Sequence, residues 1–183
     1  MGGRLSPETR LFGCDVNPML VEFCQEKISK AEVVRNLYHP PLPYEDSQFD
    51  FIYAVSMYTH LKLSAMLQWT GEILRILRPE GIALITTHGS YYVSSLAQVS
   101  KEGSALLAER GYYVHLFGTA NNTWEGFNNY AAYVSPDFLR RLFVGFQMIQ
   151  MYPGVSHGPI LESWGQVNAT LVAYQDIAIF RKL

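Results

Sequence analysis

Cysteine is nearly missing: only Cys14 and Cys24 occur in 183 residues, too few for a disulfide framework or a cysteine-rich zinc site. Both are expected to be reduced and at least partly buried. Charge is scarce as well, at 16% of positions. Fourteen Lys and Arg against sixteen Asp and Glu leave a formal charge of −2, so the basic footprint of a nucleic-acid binder is lacking. No segment runs long enough without charge to cross a bilayer, and Met1-Gly2-Gly3-Arg4-Leu5-Ser6-Pro7 has none of the apolar stretch of a signal peptide. A cytoplasmic protein is expected, with no membrane and no nucleic acid among its partners. The histidines lie apart, without metal-like spacing, so no metal site is read. Repeats and low-complexity tracts are also absent. What is there is 49% hydrophobic and 14% aromatic, enough for one sizeable core, and residues 1–183 read as a single domain.

Short apolar runs alternate with helical patterns. Leu11-Phe12-Gly13-Cys14-Asp15 is a strand ending on an acid. Asn17-Pro18 then offers a cap and a first-turn proline, and Leu20, Phe23, Cys24 and Ile28 fall at helical spacing up to about Lys30. Val33, Val34 and Leu37 suggest a second strand before the proline-rich Pro40-Pro41-Leu42-Pro43 loop. Phe49 to Val55 is nearly continuous in apolar residues, as in a strand buried on both faces of a parallel sheet, and is expected to be central. Thr59 can cap a helix that buries Met66, Leu67, Trp69, Ile73, Leu74 and Leu77 and stops at Arg78-Pro79-Glu80-Gly81. Ile82 to Thr87 is the next strand. This alternation predicts a doubly wound α/β domain. From about 89 to 134 aromatic residues crowd a stretch that reads as a cap or insertion. Ser135-Pro136-Asp137 starts another helix, and Phe146 to Tyr152 and Gln175 to Arg181 read as strands.

A carboxylate at the tip of a strand feeding a helix can accept hydrogen bonds from both hydroxyls of a ribose, and Asp15 stands in that place. It can equally serve only to cap the helix near Pro18. The same acid would suit a nicotinamide-dependent oxidoreductase, although that reading leaves Leu42 to Asp50 unexplained.

Pro41-Leu42-Pro43-Tyr44-Glu45-Asp46-Ser47-Gln48-Phe49-Asp50-Phe51-Ile52-Tyr53, followed by Glu72-Ile73-Leu74-Arg75-Ile76-Leu77-Arg78-Pro79-Glu80-Gly81, resembles two signatures of the class I S-adenosylmethionine-dependent methyltransferases of the type 11/12 kind. Phe12 to Pro18 is similar to that family's second strand and ribose acid. The resemblance spans roughly residues 11 to 88. It implies a Rossmann-like doubly wound sheet with an antiparallel C-terminal strand and S-adenosylmethionine as cofactor. It places Asp15 and Val16 at the ribose, Asn36 and Leu37 beside the adenine, and Val55 and Ser56 near the sulfonium. Two departures stand out. The family begins with a strand, a glycine-rich loop and a helix, but only ten residues precede Leu11, too few for such a unit. The domain is therefore expected to be N-terminally truncated, with Gly2-Gly3-Arg4 a remnant of the loop. Glu80 also stands where the family has a glycine.

Methyl transfer from a sulfonium is an in-line displacement, so the protein mainly aligns the acceptor and excludes water. A hydroxyl acceptor can still need a base, and imidazole suits neutral pH. His88 and His60 follow strand ends and are the catalytic candidates, against the plainer reading of hydrogen-bonded wall residues. Tyr91, Tyr92, Trp124 and Tyr130 are candidates for the wall of an acceptor site, or for packing alone. The expected partner is a small-molecule acceptor. The alternative is a catalytically degenerate partner domain, in which a homo-oligomer or a second chain completes the sheet at its unpaired edge.

Overall fold

The computed structural model describes residues 6–95, 100–116, 130–154 and 175–183. The chain divides into two compact units, one ending at Tyr44 and the other beginning at Glu45. Gly2-Gly3-Arg4 and Trp124 lie outside the described residues.

In the first unit, β1 (Leu11–Asp15), α1 (Pro18–Lys27) and β2 (Ala31–Arg35) form a parallel pair with a helical crossover, Leu11 opposite Ala31 and Asp15 opposite Arg35. The Asn17 side chain accepts the Met19 N–H at 3.0 Å and Pro18 occupies the first helical turn, so this helix starts where the sequence says. It ends at Lys27, a turn before Lys30. Its inner face is rotated from the expected one: Val21 is buried, and Gln25, one turn on, donates to the Val33 carbonyl at 2.7 Å. Leu20 and Phe23 are therefore exposed, and Met19 with them. Cys14 is exposed too, against expectation, while Cys24 is half-buried; both are free thiols.

The second unit is built on a four-stranded sheet of order β3-β4-β8-β7, comprising β3 (Phe49–Ala54), β4 (Leu77–Thr87), β7 (Phe146–Tyr152) and β8 (Asp176–Lys182). β3 and β4 are parallel, and β8 runs antiparallel to both β4 and β7. β3 is an edge strand of this sheet, not a central one. Phe51 and Tyr53 on one face are 51% and 67% exposed, because among the described residues it pairs only with β4 and no helix covers that face.

Between β3 and β4 lie a 3-10 turn (Tyr58–His60) and α2 (Leu63–Ile76). Thr59 does not cap α2. Its hydroxyl donates to the Ser56 carbonyl inside the preceding turn, and Lys62 holds the cap position. α2 buries Met66, Trp69 and Ile73 as expected and Ile76 besides; Leu77 is buried as the first residue of β4, Leu74 is half-buried and Leu67 is exposed. The strand register jumps from Phe49 opposite Leu77 to Phe51 opposite Ile82, so residues 78–81 loop out. There Glu80 takes a left-handed φ of 63°, and a Cβ on Gly81 would sit 2.8 Å from the Arg78 carbonyl, which makes glycine necessary.

Beyond β4, α3 (Ser90–Ser95) and α4 (Lys101–Arg110) lead to β5 (Tyr112–Leu116), which pairs antiparallel with β6 (Tyr130–Val134). β6 meets the end of β4 through a bridge between His88 and Tyr133. α5 (Pro136–Leu142) starts at Ser135, whose hydroxyl accepts the Phe138 N–H. The core of this unit joins Tyr58, Met66, Leu77, Ile85, Leu139, Phe143 and Phe180, with Phe143 stacked on Phe180 at 4.1 Å.

Candidate functional site

In the first unit the strand ends pair the backbones of two of the expected residues. The Asn36 N–H donates to the Asp15 carbonyl at 3.1 Å, which continues the β1–β2 ladder by one step. Asp15 Oδ1 accepts the Asn17 N–H at 2.7 Å. The helix cap itself is Asn17; the Asp15 bond closes a turn just ahead of it and orients the carboxylate. The Asn36 amide donates to the Leu37 carbonyl at 2.7 Å, while its Oδ1 is buried without a hydrogen-bond partner. An orphaned acceptor of this kind is costly unless a donor is supplied. Val16 and Leu37 beside these groups are 42% and 78% exposed. A carboxylate, an acceptor lacking a donor and two uncovered apolar side chains fit an adenosine: hydroxyls for the first, an amino group for the second, the base face for the rest.

In the second unit β3, β4 and β6 end on a polar cluster. Ser56, in a left-handed conformation with φ 56°, donates its N–H to Thr86 Oγ1 at 2.7 Å and exchanges hydrogen bonds with the Gln175 amide at 2.9 and 3.2 Å. Its polar groups are thereby committed to the protein. Val55 beside it is 38% exposed.

The two candidate histidines are 6.4 Å apart between ring centroids, edge to face. His60 Nδ1–H donates to the Tyr130 carbonyl at 2.8 Å. His88 hydrogen-bonds to the Ala132 carbonyl, and its Nδ1 is buried without a partner. Burial, and after it the proximity of His60, pushes the His88 imidazole down to about 3, so it is neutral at physiological pH. Tyr92 stacks on His88 at 3.9 Å, and burial pushes its phenol up. Tyr91 is half-buried on the same helix. Tyr130 is buried and contributes its carbonyl to His60. Tyr133, 5.4 Å from His88, is fully buried, and its hydroxyl, like that of Thr87, has no partner among the described residues.

Thr87, Tyr133 and Gln175 were not singled out by sequence reasoning. Thr86-Thr87-His88, a polar triplet closing an apolar strand, was the one available signal for Thr87. Tyr133 was hidden among many tyrosines, and Gln175 lies 119 positions from its partner Ser56. Among the described residues no group of three metal-ligating side chains gathers, and no helix is long and apolar enough to cross a membrane.

The two signature segments meet elsewhere in this unit. Arg75 pairs with Glu72 on its own helix at 2.7 and 3.0 Å and with Asp46 at 2.7 Å. The Arg75 carbonyl accepts the Ser47 N–H, and Arg78 pairs with Asp50 at 2.9 Å. The acidic turn before β3 is thus clipped to the end of α2, and the signatures record a folding device.

The family profile described as "Methyltransferase domain" matches residues 3–85. That stretch is similar to the methyltransferase-domain family, and the family and the similar structures imply S-adenosylmethionine as cofactor. Solved structures similar to the chain carry the same fold. A SAM-dependent methyltransferase from Methanosarcina mazei is 14% identical, with a TM-score of 0.64 over 94% of this chain and 81% of its own. A Haloferax volcanii protein described as a methyltransferase, solved with the Trm112 methyltransferase activator, is 14% identical at a TM-score of 0.57 over 93% and 71%. A Galdieria sulphuraria protein described as a sarcosine dimethylglycine methyltransferase gives 14% and 0.54 over 93% and 68%. At this identity the likeness speaks for the fold.

Proposed function

We propose that the protein transfers the methyl group of S-adenosylmethionine to a small-molecule acceptor. The observation that supports this reading most is the Asp15 carboxylate, fixed at the tip of a strand that feeds a helix, with the backbone of Asn36 paired to it at the adjacent strand end. When bound, the cofactor supplies an electrophilic methyl group. Asp15 holds the ribose hydroxyls, Asn36 takes the adenine amino group, and Val16 and Leu37 cover the base. In the second unit Val55 supplies apolar surface at the end of β3. Ser56 shapes that strand end through its bonds to Thr86 and Gln175. The acceptor belongs with His60, His88, Tyr91 and Tyr92, which together exclude water. Calorimetry tests this: S-adenosylhomocysteine should bind in the micromolar to millimolar range common for enzyme ligands, and Asp15→Ala should weaken it at least about tenfold. Absence of heat with both cofactor and product overturns it.

The edge strand supports a second feature. β3 exposes Phe51 and Tyr53, with Val55 just beyond its end, and pairs on one side only among the described residues, so a strand of a helper chain or of a second copy can dock there. A structural relative solved with an activator protein gives a precedent for such a helper. Light scattering that finds a strict monomer at high concentration excludes the second copy.

A further inference from the structure

β6 fixes the state of both histidines. The carbonyls of Tyr130 and Ala132, two residues apart and so on the same edge of the strand, each accept a hydrogen bond from one imidazole. The rings are held through opposite nitrogens. His60 gives its Nδ1–H, which leaves the lone pair on Nε2; His88 is bonded through the nitrogen other than Nδ1, which leaves the lone pair on Nδ1. Two more buried hydroxyls lack a partner among the described residues: that of Tyr133, whose ring lies 5.4 Å from that of His88, and that of Thr87, the residue before His88. Buried polar atoms left unpartnered on neighbouring side chains, as on His88 and Tyr133, are uncommon in a native fold and call for a polar ligand. The described buried polar residues include no Lys or Arg. A carboxylate could accept from those hydroxyls but would also face two lone pairs with no cation among the described buried residues to offset its charge, whereas a neutral hydroxyl can donate to a lone pair and accept from a hydroxyl.

Resting on the methyltransferase reading, we infer that the acceptor is a neutral hydroxyl compound, a phenol or an alcohol, with His88 accepting a hydrogen bond to position it and His60 taking its proton. In that step the hydroxyl oxygen forms the new bond to the methyl carbon. The carbon–sulfur bond breaks with its electron pair left on sulfur, and the hydroxyl proton passes to Nε2 of His60, which returns it to water. The roles divide by environment. His88 is buried and stays neutral far below physiological pH, so it is a poor base and a good fixed acceptor, while half-buried His60 can exchange a proton with solvent. The groups near His88 are His60, Tyr92 on α3 and Tyr133 on β6, with Tyr113 of β5 stacked on Tyr133; Asp176 of β8 lies against the adjacent Gly89 and accepts the Gly154 N–H.

The test uses the whole chain with nitrogen-15-labelled histidine and three ring probes of one size: phenol, benzoate and benzylamine. Long-range nitrogen–proton correlations should show the Nδ1–H tautomer at His60 and the Nε2–H tautomer at His88, with His88 still neutral at about pH 5. Phenol should shift both imidazoles saturably. Benzoate and benzylamine should bind at least about tenfold more weakly. H88Q keeps a donor for the Ala132 carbonyl and moves the acceptor from the Nδ1 position to the amide oxygen; that displacement should weaken phenol about tenfold and leave S-adenosylhomocysteine binding unchanged. Opposite tautomers at either ring, benzoate binding as tightly as phenol, or indifference of phenol to H88Q overturns the inference. The wild-type tautomers and the order of the probes decide it even where H88Q does not fold. S-adenosylhomocysteine heat without a phenol response sinks this inference alone, and the reverse pattern sinks the methyltransferase reading.

Discussion

Two side chains carry unusual conformational or electrostatic loads. Glu80 holds a left-handed backbone at φ 63° in the loop where α2 passes into β4, a conformation that costs a non-glycine residue about 1 kcal/mol or more. Its exposed contact with Arg181 at 3.7 Å contributes less than that. Glu80→Gly is therefore expected to raise the urea midpoint by an amount equivalent to about 1 kcal/mol, read by circular dichroism; an unchanged or lowered midpoint contradicts the strain argument. His88 sets a pH dependence. Its folded value, about 3, lies below the ordinary imidazole value of 6.5, so below about 6.5 the unfolded chain takes a proton that the folded chain refuses. The stability present above that value falls as pH drops toward 3. H88Q should flatten the loss between about pH 7 and 5 relative to wild type in paired urea titrations.

At the level of elements, the clip between the acidic turn and α2 is the clearest structural lock. The Glu72 side chain is 6% exposed and takes a forked pair of bonds from Arg75. Arg75→Ala robs a buried carboxylate of its cation and is expected to cost about 3 kcal/mol; adding Glu72→Gln should recover part of that in a double-mutant cycle. The periodicity of the sequence located β1, the start of α1, β3, α5, β7 and β8, since each is bounded by a cap, a proline or an acid that acts locally. What it missed depends on partners distant in sequence. The exposed face of β3 could not be read from Phe49 to Val55, because an edge strand and a central one share the same apolar run. The inner stripe of α1 moved by one residue because Gln25 bonds to Val33. At the site, Asp15 and Asn36 were legible as strand-tip residues and His88 as a strand end. The β6 carbonyls that hold both imidazoles were not, since backbone groups leave no mark in sequence.

At the scale of the whole molecule, the two units differ in core. Among the described residues up to Tyr44, Val21 is the one buried apolar side chain, whereas Tyr58, Met66, Ile85, Phe143 and Phe180 and more are buried beyond it. A two-stranded sheet with one helix has little stability of its own. Hydrogen exchange should therefore release the β1 and β2 amides well before those of β4 and β8, and a bound adenosine should slow the first set, because a ligand stabilises the state it binds. The measurement that bears most directly on the account is a nitrogen–proton correlation spectrum of the full chain titrated with S-adenosylhomocysteine. The account predicts saturable shifts centred on the backbone amides of Asp15 and Leu37 and the side-chain amide of Asn36, abolished by Asp15→Ala. A spectrum in which those three signals stay still at saturating product contradicts it.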